Sequence, residues 1–362
     1  EDLKVLCSIH RNRITFCFYN FLILVFTSRE YFAPFATRSR GGSTVQLGQC
    51  AHELHKMGIL ARLRGCEDSR VVLGKGISGK VELHQKGKSS YVVKTYLCKE
   101  KHESRKEYRK RVLYEYHLLA SIDHPNFIKV VKSDVSLDGL SVKMYMEAGA
   151  QDLGALLKHS HDRLTRMEVF SIWKQICEGL RYLHLIGLCH RDLKLENLVM
   201  DRSFSKVKII DLVTATDCRQ PAVGIVGSAR YMAPEMASKI SYDGLKVDIW
   251  SIGIIVFYLI SREFPWKQAS HVDPRFVAYN QRQMLGKDGV SNGESFPLPA
   301  RDKNDDSFRE YPPSAVLLLS QMLLVDPDRR VSIDSICADE WFQKLNVCAL
   351  KSLPKGYEDS IQ

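Results

Sequence analysis

His190-Arg191-Asp192-Leu193-Lys194-Leu195-Glu196-Asn197 follows a helical run that ends near Leu188, and it precedes the apolar triplet Leu198-Val199-Met200. Phosphoryl transfer asks little covalent work of a protein. It needs a carboxylate facing the acceptor hydroxyl, a cation near the moving phosphoryl group, and oxygen ligands for Mg²⁺. Asp192, Lys194 and Asn197 offer all three within six residues, so the octet reads as a reaction centre and not as an unrelated polar loop.

Three weaker signals lie upstream. Gly74-Lys75-Gly76-Ile77-Ser78-Gly79-Lys80-Val81 sits between two strand-like runs, where glycines let backbone amides approach phosphate oxygens. Taken alone it is equally a hairpin turn, and it is not the dinucleotide-binding form, because a strand follows where a helix should begin. Lys94, in Tyr91-Val92-Val93-Lys94-Thr95-Tyr96, is either a cation that bridges two phosphates or a solvated strand charge. Glu115 stands on a charged helical run nine residues before His124-Pro125-Asn126, placed to hold the Lys94 ammonium. Glu103 and Glu107 share that run.

The surrounding pattern is β first and α afterwards. β-branched residues alternate from about Arg70, with turns at Gly74–Gly79 and near Gly87. A helix is expected over residues 99–121, and strands over residues 127–132 and 140–146. Beyond Asp152 the chain turns helical, including a segment after Val247 that is apolar all round. Glycine, proline and charge between Lys267 and Pro313 predict a long surface connection or an insertion.

Together these residues resemble the eukaryotic protein kinases over residues 70–343. Further motifs fall in the family order. Asp211 follows Val207-Lys208-Ile209-Ile210, Ala233-Pro234-Glu235 closes an activation segment, Asp248-Ile249-Trp250-Ser251 opens the buried helix, and Arg330 is placed to pair with Glu235. Lys194 and the stretch GSARYMAPE resemble the serine/threonine branch. Within it, YLHLIGLCHRDLKLENLVM, GIVGS, REFPWK and DPRF look like the fungal halotolerance and nitrogen-permease-reactivator kinases.

The resemblance implies an α+β, bilobal fold, with a small β-rich N-lobe over residues 70–146 and a larger helical C-lobe over residues 150–343. It implies ATP and Mg²⁺ as cofactors and protein serine or threonine hydroxyls as acceptors. Gly74, Gly76 and Gly79 would cover the phosphates, with Leu73 and Val81 packing on adenine. Lys94 would hold the α- and β-phosphates and be held by Glu115. Met146 would be the gatekeeper, with Glu147 to Gly149 as the hinge. Asp192 would orient the acceptor hydroxyl, Lys194 would steady the γ-phosphate, and Asn197 and Asp211 would ligate magnesium.

One departure stands at Asp211-Leu212-Val213, where the family reads Asp-Phe-Gly. Leu212 keeps an apolar plug for a column with His190 and Leu119. Valine in place of glycine costs about 1–3 kcal/mol if that position needs a positive φ, which keeps a nucleotide-binding pseudokinase scaffold open as the alternative. Arg191 is expected to need an anion, from a phosphorylated Thr214 or Thr216 or from Asp217. Ser228 is expected to touch Asp192, and Glu196 with Asp152 would favour a basic residue N-terminal to the target hydroxyl.

Composition excludes other classes. Of 362 residues, 45% are hydrophobic and 26% charged, an ordinary globular balance. Lys+Arg exceed Asp+Glu by 52 − 42 = 10, which fits phosphate and peptide clefts and requires no nucleic-acid partner. The 10 cysteines form no CxxC pair, so reduced thiols in a cytoplasmic monomer are the expectation, with plasma-membrane association as a variant. Residues 1–69 read as a leader and 344–362 as a C-terminal tail. The first residue is Glu1, which reads as a fragment, a processed form or a mispredicted gene start. The apolar run over residues 14–26 is shorter than the roughly 20 residues of a membrane span. It reads as a signal-like segment, an anchor, or a buried or misassigned leader.

Overall fold

The computed structural model describes residues 68–76, 79–87, 89–97, 99–159, 163–285, 298–299 and 307–351. The apolar run over residues 14–26 lies outside the described residues. Two compact units emerge, one holding residues 68–113 and 130–148, the other residues 114–129 and 149–351 among those described.

The first unit is a five-stranded antiparallel sheet. Strands β1 (Asp68–Lys75), β2 (Gly79–Lys86), β3 (Ser89–Tyr96), β4 (Val130–Val135) and β5 (Val142–Glu147) are ordered β1-β2-β3-β5-β4. Leu83, Val92, Val142, Met144 and Met146 lie on one buried face of it, and Val93 is buried on the other. Helix α1 (Arg105–Ser121) begins in this unit and ends in the other. It starts six residues later than its charge pattern suggests. Ser104 Oγ accepts from Glu107 N at 3.2 Å while Glu107 Oε2 accepts from Ser104 N at 2.9 Å, a reciprocal cap that fixes the first turn.

In the second unit, helices α2 (Leu153–His159) and α3 (Arg166–Leu185) lead to the short strand β6 (Leu188–Cys189) and a 3₁₀ turn (Leu195–Asn197). The hairpin β7 (Leu198–Met200) and β8 (Val207–Ile209) follows, then β9 (Thr216–Asp217), β10 (Ala222–Val223), α4 (Pro234–Ser238) and β11 (Ser241–Tyr242). Helix α5 (Gly244–Ser261) is apolar nearly all round, and Val247, Ile249, Trp250, Ile252, Ile254, Ile255, Val256 and Phe257 are each at most 1% exposed. Its length and hydropathy match a membrane span, but its side chains form the core of this unit, packed on α3. Helices α6 (Pro274–Leu285), α7 (Pro313–Met322), α8 (Ile333–Ala338) and α9 (Glu340–Gln343) complete it.

Two further sequence expectations change. The strand expected over residues 127–132 begins at Val130, and Phe127 makes an isolated bridge to Ile209 instead. The stretch expected to be a surface connection contains α6, started by Asp273, whose Oδ1 accepts from Arg275 N and Phe276 N. Residues 345–351 pack back along α3. Ser171 Oγ donates to Cys348 O, Lys174 Nζ donates to Leu345 O, and Leu350 is 4% exposed.

Candidate active site

In the second unit, Asp248 on α5 organises the reaction centre from beneath. Its Oδ2 accepts from His190 N and its Oδ1 from Arg191 N, both at 2.7 Å, and His184 Nε2 lies 3.0 Å from Oδ2. The carboxylate is fully buried, so these three groups are its compensation. They also hold Arg191 at φ 66, a left-handed conformation that a side-chain-bearing residue adopts at a cost of roughly 1–2 kcal/mol. The bend turns the chain so that the following residue, Asp192, enters the centre.

Asp192 there shares its carboxylate between two donors. Lys194 Nζ donates to Oδ2 at 2.7 Å and Ser228 Oγ donates to Oδ1 at 3.1 Å; Lys194 Nζ also reaches Ser228 Oγ at 3.2 Å. Burial alone would lower the Lys194 pKa. The charge and hydrogen bond of Asp192, then the charges of Asp211 and Glu196, raise it above the ordinary lysine value, so the ammonium stays charged.

The β7–β8 hairpin brings the other two candidates to one end. Leu198 pairs with Ile209, so Asn197, just before β7, and Asp211, just after β8, flank the same end of the ladder. Ile210 N donating to Asn197 O at 3.0 Å closes it. Asn197 Nδ2 donates to Asp192 O at 2.9 Å, which leaves its Oδ1 as an acceptor. With the Asp211 carboxylate this makes a set of hard oxygen donors beside a fixed ammonium, a set that fits Mg²⁺.

Asp211 has φ 66, whereas Val213 stays outside the left-handed region and is 41% exposed. The positive φ falls on an aspartate, which tolerates it, and not on the β-branched residue. The strain expected at Val213 is therefore absent. Leu212, His190 and Leu119 are all buried.

The remaining candidates divide between the units. In the first, one ladder row runs Gly74, Val81, Lys94, Met144 across four strands, and Lys94 and Met144 are buried. Leu73 lies at the irregularity between Val72 and Gly74 and is exposed. An added Cβ at Gly74 or Gly76 would meet no atom within 4 Å, so the space over these two glycines fits a ligand group. Gly79 is different: at φ +154, its Cβ would lie 2.2 Å from Thr95 O. Met146 is buried and Glu147 ends β5. In the second unit, Glu115 is buried on α1, and a Cβ at Gly149 would collide with Val199 Cγ1 at 2.2 Å. Met200 O then accepts from Ala150 N at 2.7 Å, which fixes the segment after Gly149 on β7.

Sequence reasoning missed Tyr114 and Tyr242 at this centre, and it offered Thr214 only as a phosphate carrier. Thr214 Oγ1 donates to His190 O at 2.8 Å, Tyr114 OH donates to Ala215 O at 3.3 Å, and Tyr242 OH donates to Gly224 O at 2.7 Å. Each acts on a backbone carbonyl, which any residue carries, so no pairing of residue types signals it. Asp217 does not meet Arg191: Arg219 Nε lies 2.9 Å from Asp217 Oδ1, and its hydrogen bonds bring the Asp217 carboxyl down to about 2.

Residues 68–342 match the protein kinase domain family. The serine/threonine-protein kinase PRR2 of Saccharomyces cerevisiae is 30% identical over 325 residues, covering 83% of this chain and 45% of that protein. The serine/threonine-protein kinase oca2 of Schizosaccharomyces pombe is 29% identical, covering 78% of this chain and 49% of that protein. The nitrogen permease reactivator protein of Saccharomyces cerevisiae is 30% identical, covering 77% of this chain and 39% of that protein. The chain thus spans less than half the length of each of these relatives.

Proposed function

Since this chain belongs to the protein kinase domain family, within which its relatives include fungal serine/threonine kinases, we propose that it transfers the γ-phosphate of ATP to serine or threonine hydroxyls of proteins. The observation that carries this reading is the shared carboxylate of Asp192, held by Lys194 and Ser228 at hydrogen-bond distance. Two donors fix its orientation before any substrate arrives, which is the preorganisation that lowers a transfer barrier.

In this reading Asp192 accepts a hydrogen bond from the acceptor hydroxyl and orients its oxygen. Lys194 steadies the negative charge of the moving group, and its raised pKa keeps it cationic for that task. Asn197 and Asp211 would hold Mg²⁺, which would supply neutralising charge to the phosphates of the nucleotide. In the first unit, Gly74, Gly76, Gly79 and Lys94 would contact nucleotide phosphates, and Leu73, Val81, Met146 and Glu147 would pack on the base. The backbone of Val213 outside the left-handed region favours turnover over a pseudokinase scaffold.

Glu196 and Asp152 supply a substrate preference. An added Cβ at Gly154 would lie 3.1 Å from Asp152 Oδ1 and 3.5 Å from Glu196 Cγ, so the two acidic side chains crowd one small residue. Burial, with the Glu196 charge assisting, pushes the Asp152 carboxyl up. A basic residue N-terminal to the target hydroxyl relieves that cost. The similarity to a nitrogen permease reactivator protein supports a role in regulating nutrient transporters; we extend this to ion transporters and to action from the cytoplasm or at the plasma membrane.

The test is transfer from radiolabelled ATP with Mg²⁺ to an arrayed peptide library, beside Asp192→Asn. Incorporation into serine or threonine, lost in the variant and strongest with arginine upstream, is the expected result. Equal signal from the variant would refute the transferase reading, and a profile indifferent to arginine at every position would remove the acidic subsite.

A further inference from the structure

Arg191 directly precedes Asp192, and its guanidinium is half-buried, yet among the described residues no carboxylate lies within ion-pair distance of it. Uncharged oxygens take the place of an anion. Nε donates to Thr214 O at 2.9 Å, and Nη1 reaches Val223 O at 3.2 Å and Tyr242 OH at 3.4 Å. The Tyr242 hydroxyl in turn donates a hydrogen bond to Gly224 O at 2.7 Å.

From Thr214 to Gly224 the segment is therefore held in large part by its carbonyls. Thr214 O, Ala215 O and Thr216 O accept in succession from Arg191, Tyr114 and the Cys189 thiol, and Val223 O and Gly224 O accept from Arg191 and Tyr242. Every one of these donors lies outside the segment. Two of the three hydroxyls a phosphate would need are engaged elsewhere, and at Thr216 it is the backbone that is held: Thr214 Oγ1 donates to His190 O and Ser228 Oγ to Asp192. Thr216 lies in the β6–β9 ladder opposite Cys189. A phosphate on Thr214 would break the Thr214–His190 bond next to the reaction centre.

We propose that the segment holds its working arrangement without phosphorylation, through Arg191 bound to neutral oxygens, with Tyr242 as the positioning residue that orients the guanidinium. The inference rests on the transferase reading for its kinetic consequence, while the latch itself is a property of the chain alone. Tyr242→Phe deletes only the hydroxyl and keeps the buried ring.

The experiment uses the 362-residue chain stripped by a broad-specificity phosphatase, with the absence of phosphate on residues 212–227 verified by mass spectrometry. Amide hydrogen exchange of that segment and peptide-phosphorylation kinetics are then measured on wild type and Tyr242→Phe. Stripping is expected to leave both exchange protection and kcat unchanged. Tyr242→Phe is expected to speed exchange in the segment and lower kcat, each by about tenfold, the factor carried by one hydrogen bond to a charged group. Its KM for ATP and its exchange in α5 stay as in wild type, which a general folding defect would not allow. Arg191→Lys, which keeps the charge and loses the fork, is expected to loosen the segment similarly. The proposal is overturned if stripping removes protection that returns only on autophosphorylation of Thr214 or Thr216, or if Tyr242→Phe leaves exchange unaltered. A stripped wild type with a protected segment but no transfer would sink the transferase reading and leave the latch standing.

Discussion

Arg330 and Glu235 form a two-pronged ion pair almost wholly withdrawn from solvent, Nη1 to Oε1 at 2.6 Å and Nη2 to Oε2 at 3.0 Å. It fastens the end of the segment that carries Ser228 and Tyr231 to the loop before α8. Arg330 also donates to Leu324 O and Lys246 O, and it stacks over Trp250 at 4.9 Å. Removing the arginine alone strands a buried carboxylate. Arg330→Met should therefore lower unfolding free energy by about 3–5 kcal/mol in urea titration. Adding Glu235→Gln to it should recover part of the loss. Strict additivity of the two would show that the pair is not coupled.

Lys194 and Ser228 hold opposite oxygens of Asp192, so their loss should be felt in kcat more than in stability. Ser228→Ala frees one oxygen and should reduce kcat about tenfold through misorientation. Lys194→Met removes the ammonium beside Asp192, which in the proposed reading faces the transferred group, and should reduce kcat by about 10²–10³. Steady-state peptide phosphorylation measures both. A Ser228→Ala enzyme with wild-type kcat would show that Lys194 alone orients the carboxylate.

Val213 is where reading the sequence and seeing the backbone part company. A β-branched residue in a position the family fills with glycine reads as strain, yet the positive φ sits on Asp211. Restoring glycine should thus rescue nothing. Val213→Gly should leave kcat unchanged and destabilise the chain by roughly 0.4–1 kcal/mol through greater freedom of the unfolded state. An increase of kcat in the glycine variant would reinstate the strain argument.

Much of the candidate centre was legible because its chemistry needs particular side chains at fixed spacing, as in Asp192, Lys194 and Asn197. The alternation around Lys94 and the all-round apolar character of α5 were equally readable. The starts of α1 and α6 were legible as well, from Ser104 with Glu107 and from Asp273 before Pro274, but cap signals were outweighed there by charge and composition. The holds on Thr214 O, Ala215 O and Gly224 O were not readable at all. Carbonyl acceptors are common to every residue, and Arg191 and Tyr242 stand 51 positions apart.

The glycines of the β1–β2 turn should separate by function. Gly79→Ala forces a Cβ against Thr95 O from a backbone conformation that disfavours side chains, and should cost about 1–3 kcal/mol of stability. Gly76→Ala meets no protein atom and should melt like wild type, while raising the KM for ATP because its methyl enters the space over the turn. Thermal melts and ATP titrations distinguish the two, and a Gly76→Ala enzyme with unchanged KM would remove that turn from the nucleotide's contacts.

Asp152 gives a pH signature. Its carboxyl is held above the ordinary value of 3.8 first by burial, against the Ala155 N–H that its Oδ1 accepts, and then by the charge of Glu196. The folded chain thus binds this proton more tightly than the unfolded chain. The resulting stability is fully present below pH 3.8 and is lost as pH rises through the higher folded value. Asparagine keeps an oxygen for the cap but never carries the charge. Asp152→Asn should accordingly match wild type in acid and exceed it at neutral pH, the gap opening across the carboxylate range. Urea unfolding of both chains from about pH 3 to about pH 8 reads the difference directly. A gap that stays flat over that interval would mean that Asp152 titrates as an ordinary surface acid, and the acidic subsite for a basic substrate residue would lose the burial that motivates it.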